Sequence, residues 1–186
     1  MKIKDILVIL LLLILVVFVG VVAKFRLKKD NYNQPKYGLI TDFDECSAAG
    51  NIVLESYPAQ CRTSDGRSFI QDIGNELEML EMIHITNPRP GQSVKSPLLI
   101  EGEARGNWFF EASFPLEIYD ENNNMLGNTT ATAVGEWMTT DFVQFKAALE
   151  FTIPTELKGY LLLKKDNPSG LPENDGFLKI PLKFEK

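Results

Sequence analysis

Phe145-Lys146-Ala147-Ala148-Leu149-Glu150-Phe151-Thr152-Ile153 is the stretch whose reading decides the fold. Phe145, Ala147, Leu149, Phe151 and Ile153 fall on every second position. Side chains of an extended strand alternate between its two faces, so this period marks a strand with one buried and one wet face. Leu98, Ile100 and Gly102 repeat the pattern, as do Phe114, Leu116 and Ile118. From Met82 onward, apolar runs of this kind predict strands at 82–86, 96–103, 112–119, 125–134, 145–153, 159–165 and 177–184. Between them lie Asn87-Pro88-Arg89-Pro90-Gly91, Asp120-Glu121-Asn122-Asn123-Asn124 and Asp166-Asn167-Pro168-Ser169-Gly170, all strong turn formers. Seven short strands without a long helix predict an all-β sandwich.

Successive antiparallel strands place alternate loops at opposite ends. Loops 104–111, 135–144 and 166–176 then share one end, and they are the chemically richest connections. Candidate binding residues on them are Arg105, Trp108, Phe109, Glu111, Trp137, Asp141, Asp166, Asn167 and Glu173. Aromatic residues with arginine are the types that dominate interface energetics, and aromatic faces also stack on sugar rings. The competing reading is that Trp108, Phe110 and Trp137 cap the open end of the sandwich as core. Arg105 is expected to pair with one of the loop acids and hold two loops together. Glu103, Glu111, Glu136, Asp141, Asp166, Glu173 and Asp175 lack the Asp-x-Asp-x-Asp-Gly spacing of a calcium loop, so neither metal nor cofactor is expected. Nothing fixes the separation of Glu111 and Asp166 that a glycoside-cleaving pair requires. The single histidine, His84, has no Ser, Cys or Asp motif around it, and a wet-face position is expected for it. These readings predict a non-catalytic protein.

Residues 42–73 hold the only two cysteines, Cys46 and Cys61, in a segment rich in Gly, Pro, Ser and Asp. Four nitrogen or sulfur ligands for zinc are not available, and the Cys-x-x-Cys redox spacing is absent. A disulfide is the simplest use, and closing such a loop stabilises a module by about 3 kcal/mol in the chain-entropy model. Two free buried thiols are the competing reading. A short helix near Cys46, a strand at 52–55 and a hairpin turn at Asp65-Gly66 are expected, giving a small α+β unit. Residues 30–41 read as a stalk, and 74–81 as a linker with one helical turn. Because the first strand of the sandwich starts at the loop-rich end, the cysteine unit is expected there.

Residues 1–29 are an apolar anchor with basic flanks. Ile6 to Ala23 is an uncharged apolar run of 18 residues. As a helix it spans roughly 27 Å, close to the hydrocarbon thickness of a bilayer. A cleaved signal peptide is the competing reading, although its apolar core is normally shorter. No Cys follows the run, which excludes a lipoprotein anchor. Lys2 and Lys4 precede the run, and Lys24, Arg26, Lys28 and Lys29 follow it. A plain count of these would put the C-terminal domain inside. Long domains translocate largely regardless of charge, however, and the cysteines favour an oxidising compartment. The expectation is a single-pass protein of the cell membrane with its C-terminal domain outside the cytoplasm. Residues 30–186 hold 13 basic and 24 acidic residues, a net charge of −11 that repels phosphate backbones. Nucleic acid is therefore not an expected partner.

Several motifs occur in order across residues 82–186: Asn87-Pro88-Arg89-Pro90-Gly91, Gly102-Glu103-Ala104-Arg105-Gly106, Trp108-Phe109-Phe110-Glu111-Ala112-Ser113-Phe114-Pro115, Trp137-Met138-Thr139 and Asp166-Asn167-Pro168-Ser169-Gly170-Leu171-Pro172-Glu173. With these motifs the segment resembles the immunoglobulin-like domain of bacterial spore-germination proteins, which is found widely in bacterial cell-envelope proteins. The resemblance implies an immunoglobulin-like sandwich and an exported protein, and it carries over no catalytic residue or ligand. Cys46 to Phe69, with Glu55-Ser56-Tyr57-Pro58, is similar to a small module of other bacterial envelope proteins. The resulting expectation is an envelope binding or adhesion module whose loop end contacts a protein or cell-wall polymer. The readings set against it are a structural spacer in an envelope or germination assembly and a wall-active hydrolase.

Overall fold

The computed structural model describes residues 39–185. The apolar run 6–23 and most of the stalk lie outside the described residues. Among the described residues, no helix is long and apolar enough to cross a membrane. From Asp42 onward the chain forms one compact unit.

All seven expected strands are present, with small shifts at their ends. In chain order they are β4 (Ile83–Asn87), β6 (Leu98–Arg105), β7 (Ser113–Asp120), β8 (Met125–Ala133), β9 (Phe142–Leu149), β10 (Lys158–Lys164) and β11 (Phe177–Phe184). A two-residue strand, β5 (Ser93–Val94), joins them and runs parallel to β11. The order across the sheet is β4-β6-β9-β8-β7-β10-β11-β5. Consecutive strands are therefore not always neighbours: β6 pairs with β9, and β7 with β10. Direction still alternates among the seven, which is what places alternate loops at opposite ends.

One ladder closes the sandwich. β8 pairs with β7 along its length but with β9 only through Thr132↔Lys146 and Ala133↔Phe145. The sheet curls at that junction, so β4-β6-β9 faces β7-β10-β11. Inward residues of both layers form a single core. Across it the Phe114 and Phe145 rings meet edge to face at 4.9 Å between centroids, a favoured aromatic geometry. The expected alternation of 145–153 holds to Phe151, which is buried, but Ile153 is 46% exposed because the strand has already ended at Leu149.

The outer edge of β11 is covered along its length. Asn75 Nδ2 donates to Phe177 O (2.9 Å), and Asn75 Oδ1 accepts from Lys179 N–H (2.7 Å). Gly91 N–H donates to Pro181 O, and Lys183 N–H to Gln92 O. Pro181 is tolerated because its missing N–H falls on this edge rather than in the β10 ladder. Gly74 is required: a Cβ there would lie 1.8 Å from Lys179 O. Residues 74–81, with a 3-10 turn at Glu76–Met79, thus lie along β11 instead of hanging free.

That course corrects the expected position of the cysteine unit. The unit comprises helix α1 (Phe43–Ala48) and a sheet of β1 (Ile52–Leu54), β2 (Gln60–Arg62) and β3 (Ser68–Ile70). Asp42 caps α1 by accepting Glu45 N–H at 2.8 Å. Cys46 and Cys61 are disulfide-bonded and fully buried, joining α1 to β2. Asp42 and Asp44 pair with Lys158 at 3.2 and 3.5 Å, and Asp44 pairs with Lys183 at 2.6 Å. Lys158 opens β10 and Lys183 lies near the close of β11, so the unit sits at the end opposite the long loops.

A clasp holds this arrangement. Glu76, 5% exposed, pairs with Arg89 at 2.8 Å. Arg89 also donates to Ile85 O (2.6 Å) and to the Tyr57 hydroxyl (2.9 Å), and Tyr57 donates to Glu76. Burial, together with the Glu76 carboxylate, pushes the Tyr57 phenol up to about 12. The Ser56-Tyr57-Pro58 and Pro88-Arg89-Pro90 motifs therefore meet over one buried carboxylate. Arg89→Ala strands that carboxylate and is expected to cost roughly 3 kcal/mol in urea unfolding, part of which Glu76→Gln restores in the double variant. An unchanged midpoint for Arg89→Ala would remove the clasp from the account of stability.

Asp120 orders the β7–β8 turn by accepting Asn122 N–H (2.9 Å), Asn124 N–H (2.8 Å) and Asn124 Nδ2 (2.8 Å). The Asn124 side chain first, and these backbone donors next, hold its carboxyl below the usual range. A carboxyl lowered on folding stabilises fully above its unfolded value of about 3.9 and loses that contribution as pH falls through the folded value. Asp120→Asn is expected to flatten the acid limb of the stability–pH curve below about pH 4. The check is Tm measured from pH 7 downward.

Candidate functional site

The three long loops converge. Gly106 N–H donates to Asp141 O at 3.2 Å, and a Cβ on Gly106 would lie 1.9 Å from Thr139 O. Only glycine allows loops β6–β7 and β8–β9 to touch backbone to backbone. The third loop is tied in by Asp166 N–H, which donates to Trp108 O at 3.0 Å.

Trp108 and Phe109 are buried at this end, packed edge-on against Phe114 at 6.4 and 5.3 Å. They fill the mouth of the sandwich and offer no surface to a ligand, which corrects their place among the candidate contacts. The core reading holds for Trp108, whereas Trp137 is half-buried and Phe110 is exposed. Among the described residues, Trp108 Nε1 finds no hydrogen-bond partner.

Arg105 does hold two loops together, but through carbonyls. Nε donates to Glu81 O (3.1 Å) and a terminal nitrogen to Thr140 O (3.2 Å), while the guanidinium lies 4.0 Å from the Phe142 ring centroid. Planar stacking on an aromatic face satisfies Arg105 without a carboxylate. His84 stacks on the same ring at 4.6 Å, with Nδ1 3.0 Å from Glu103 Oε1.

The remaining candidates shape their own loops. Asn167 Nδ2 donates to Leu171 O (2.8 Å) and Asp175 Oδ1 (2.7 Å). Asp141 N–H is held by Thr139 Oγ1 at 3.2 Å, and the Asp141 side chain is exposed. Asp166 is half-buried, and Glu111 and Glu173 are exposed. Among the described residues, no three His, Cys, Asp or Glu side chains converge as metal ligands would.

The large apolar side chains that the loops leave exposed are Phe110, Val134, Met138 and Leu171, with Met138 74% exposed. Phe110 and Ser113 exchange backbone hydrogen bonds of 3.0 Å around the two-residue turn Glu111-Ala112. Both turn residues are left-handed, at φ 48° and 61°. Such a turn favours Asn-Gly, so Glu111-Ala112 carries strain that tends to persist at functional sites. Glu111→Asn with Ala112→Gly is expected to raise stability by about 1–2 kcal/mol. Denaturant midpoints of the single and double variants check this.

An antiparallel sandwich of this kind, with its rich loops gathered at one end, is an immunoglobulin-like domain. Residues 82–170 match the family model described as the immunoglobulin-like domain of bacterial spore germination, the family that the sequence motifs resemble. No curated protein and no solved structure matches the chain.

Proposed function

We propose that this chain is a non-catalytic module of the bacterial cell envelope, anchored in the membrane through residues 6–23, whose loop end contacts an envelope protein or cell-wall polymer. The observation that carries the proposal is the exposed apolar set Phe110, Val134, Met138 and Leu171 with half-buried Trp137, borne on three loops that are fixed to one another. Interface centres are rich in aromatic residues and methionine. A disulfide within the compact unit agrees with an oxidising compartment. The family description, germination in bacteria, supports the envelope setting.

Binding of the chain to isolated cell envelopes tests this. Phe110→Ser with Met138→Asp is expected to reduce co-sedimentation by about ten-fold, with Tm unchanged because both side chains are exposed. Equal sedimentation of the variant would overturn the loop-end reading. The clasped, single-unit build also favours a second reading, a rigid spacer. That reading expects function to be lost when Ile6–Ala23 is replaced by an unrelated apolar helix, whereas the loop-end reading expects it to be kept.

A further inference from the structure

Among the described residues, the small sheet of the disulfide-bonded unit has an open edge. β1 is its outermost strand, and all of it is exposed: Ile52 by 70%, Val53 by 41% and Leu54 by 38%. Consecutive branched apolar residues on an open edge are a template for another strand, and exposed edges usually carry a charge or a proline instead. Helix α1 packs over β2 and β3. Val53 therefore stays exposed although it shares a sheet face with buried Cys61.

The ladder fixes which backbone groups β1 offers. Thr63 N–H donates to Arg67 O at 3.0 Å, and Gln71 N–H to Ala59 O at 2.8 Å. Antiparallel bonding alternates along a strand, so Gln60 and Arg62 turn away from β3 and towards β1. Their partners there are Leu54 and Ile52. Val53, between those two, points its N–H and C=O outward.

This edge is complementary to itself. About a two-fold axis through Val53, a second β1 sets Val53 against Val53, each donating its N–H to the other's carbonyl. Ile52 then stands opposite Leu54 of the other copy, twice, on the face away from the disulfide. Among the registers that match outward groups to outward groups, this one pairs all three apolar residues of each strand. Glu55 falls opposite Asn51 of the other copy. The two Glu55 side chains lie four positions apart, roughly 13 Å at about 3.3 Å per residue, which exceeds the Debye length of about 8 Å at physiological salt.

We infer that two copies of this chain pair antiparallel through β1, in register about Val53, joining their small sheets into one. The two-fold match selects a second copy as the occupant. The contact is short and therefore weak, so the inference rests on the anchoring proposed above: holding both copies in one bilayer raises their effective concentration.

The test places the full chain in phosphatidylethanolamine–phosphatidylglycerol vesicles as Ile52→Cys, as Leu54→Cys or as an equal mixture, and oxidises with copper phenanthroline. Opposite residues of this pair type have Cα atoms about 4.5 Å apart, within disulfide reach, whereas diagonal ones are about 7–8 Å apart. The mixture is expected to give about five-fold more cross-linked dimer than either variant alone. Adding Val53→Lys to both should cut that yield about five-fold, because two ammonium groups then meet on the axis. Leu99→Lys, at an exposed leucine on β6, should leave the yield unchanged. Tm and an intact Cys46–Cys61 bond report the fold of each variant. Flotation of the vesicles is read first: chain that does not float removes the anchor and the pairing with it. In floating, folded chain, equal yields from the mixture and the single variants, or a yield that survives Val53→Lys, would overturn the pairing alone and give the edge to a strand of another protein or to none.

Discussion

The outer edge of β11 is the constraint from which much of the architecture follows. A strand edge exposes a row of backbone donors and acceptors, which cost free energy if buried unpaired and invite other chains if left open. Here Asn75, Gly91 and Gln92 satisfy that row. Gly74 and Asn75 of the linker take the stretch from Phe177 to Lys179, Gly91 and Gln92 take Pro181 and Lys183, and the disulfide-bonded unit that precedes the linker sits at the far end. There, Asp42 and Asp44 meet Lys158 and Lys183. The clasp of Tyr57, Glu76 and Arg89 then closes over the crossing.

The two ends of the domain consequently differ in kind. One is occupied by the disulfide-bonded unit, which meets the sheet across a polar groove. At the other, the loops are tied backbone to backbone around Gly106, and the aromatic core reaches nearly to the surface. Burying Trp108 and Phe109 beneath those loops makes the end rigid, and the same rigidity leaves Phe110 and Met138 outside. Three consecutive aromatic residues, Trp108-Phe109-Phe110, cannot all enter one core from so short a segment.

The strands were legible in the sequence because a half-buried antiparallel strand writes its geometry as a period of two, and Phe145 to Phe151 does so without a break. The helix at Cys46, the strand near Ile52 and the turn at Asp65-Gly66 were legible through local chemistry, as was the convergence of the three loops. β5 was not, since two residues carry no period and its parallel partner lies far along the chain. Nor was the role of Arg105: a guanidinium on a ring face with two carbonyls leaves the same trace in sequence as one in an ion pair. The groove between the disulfide-bonded unit and the sheet had no motif at all, because its walls come from residues 42–74, from Gly91, Glu121 and Asn123, and from residues 158–183, brought together by a course that depends on Gly74 and Asn75.

β11 also bears on where this fold can be cut. The family match ends at residue 170, before the strand begins at Phe177. Yet Leu178, Ile180, Leu182 and Phe184 are all buried in the common core, and without them β10 loses one of its two neighbours. A fragment trimmed to the borders of the match would open a hydrophobic trough along one side of the sandwich. The span recognised by sequence similarity is thus shorter than the span that folds.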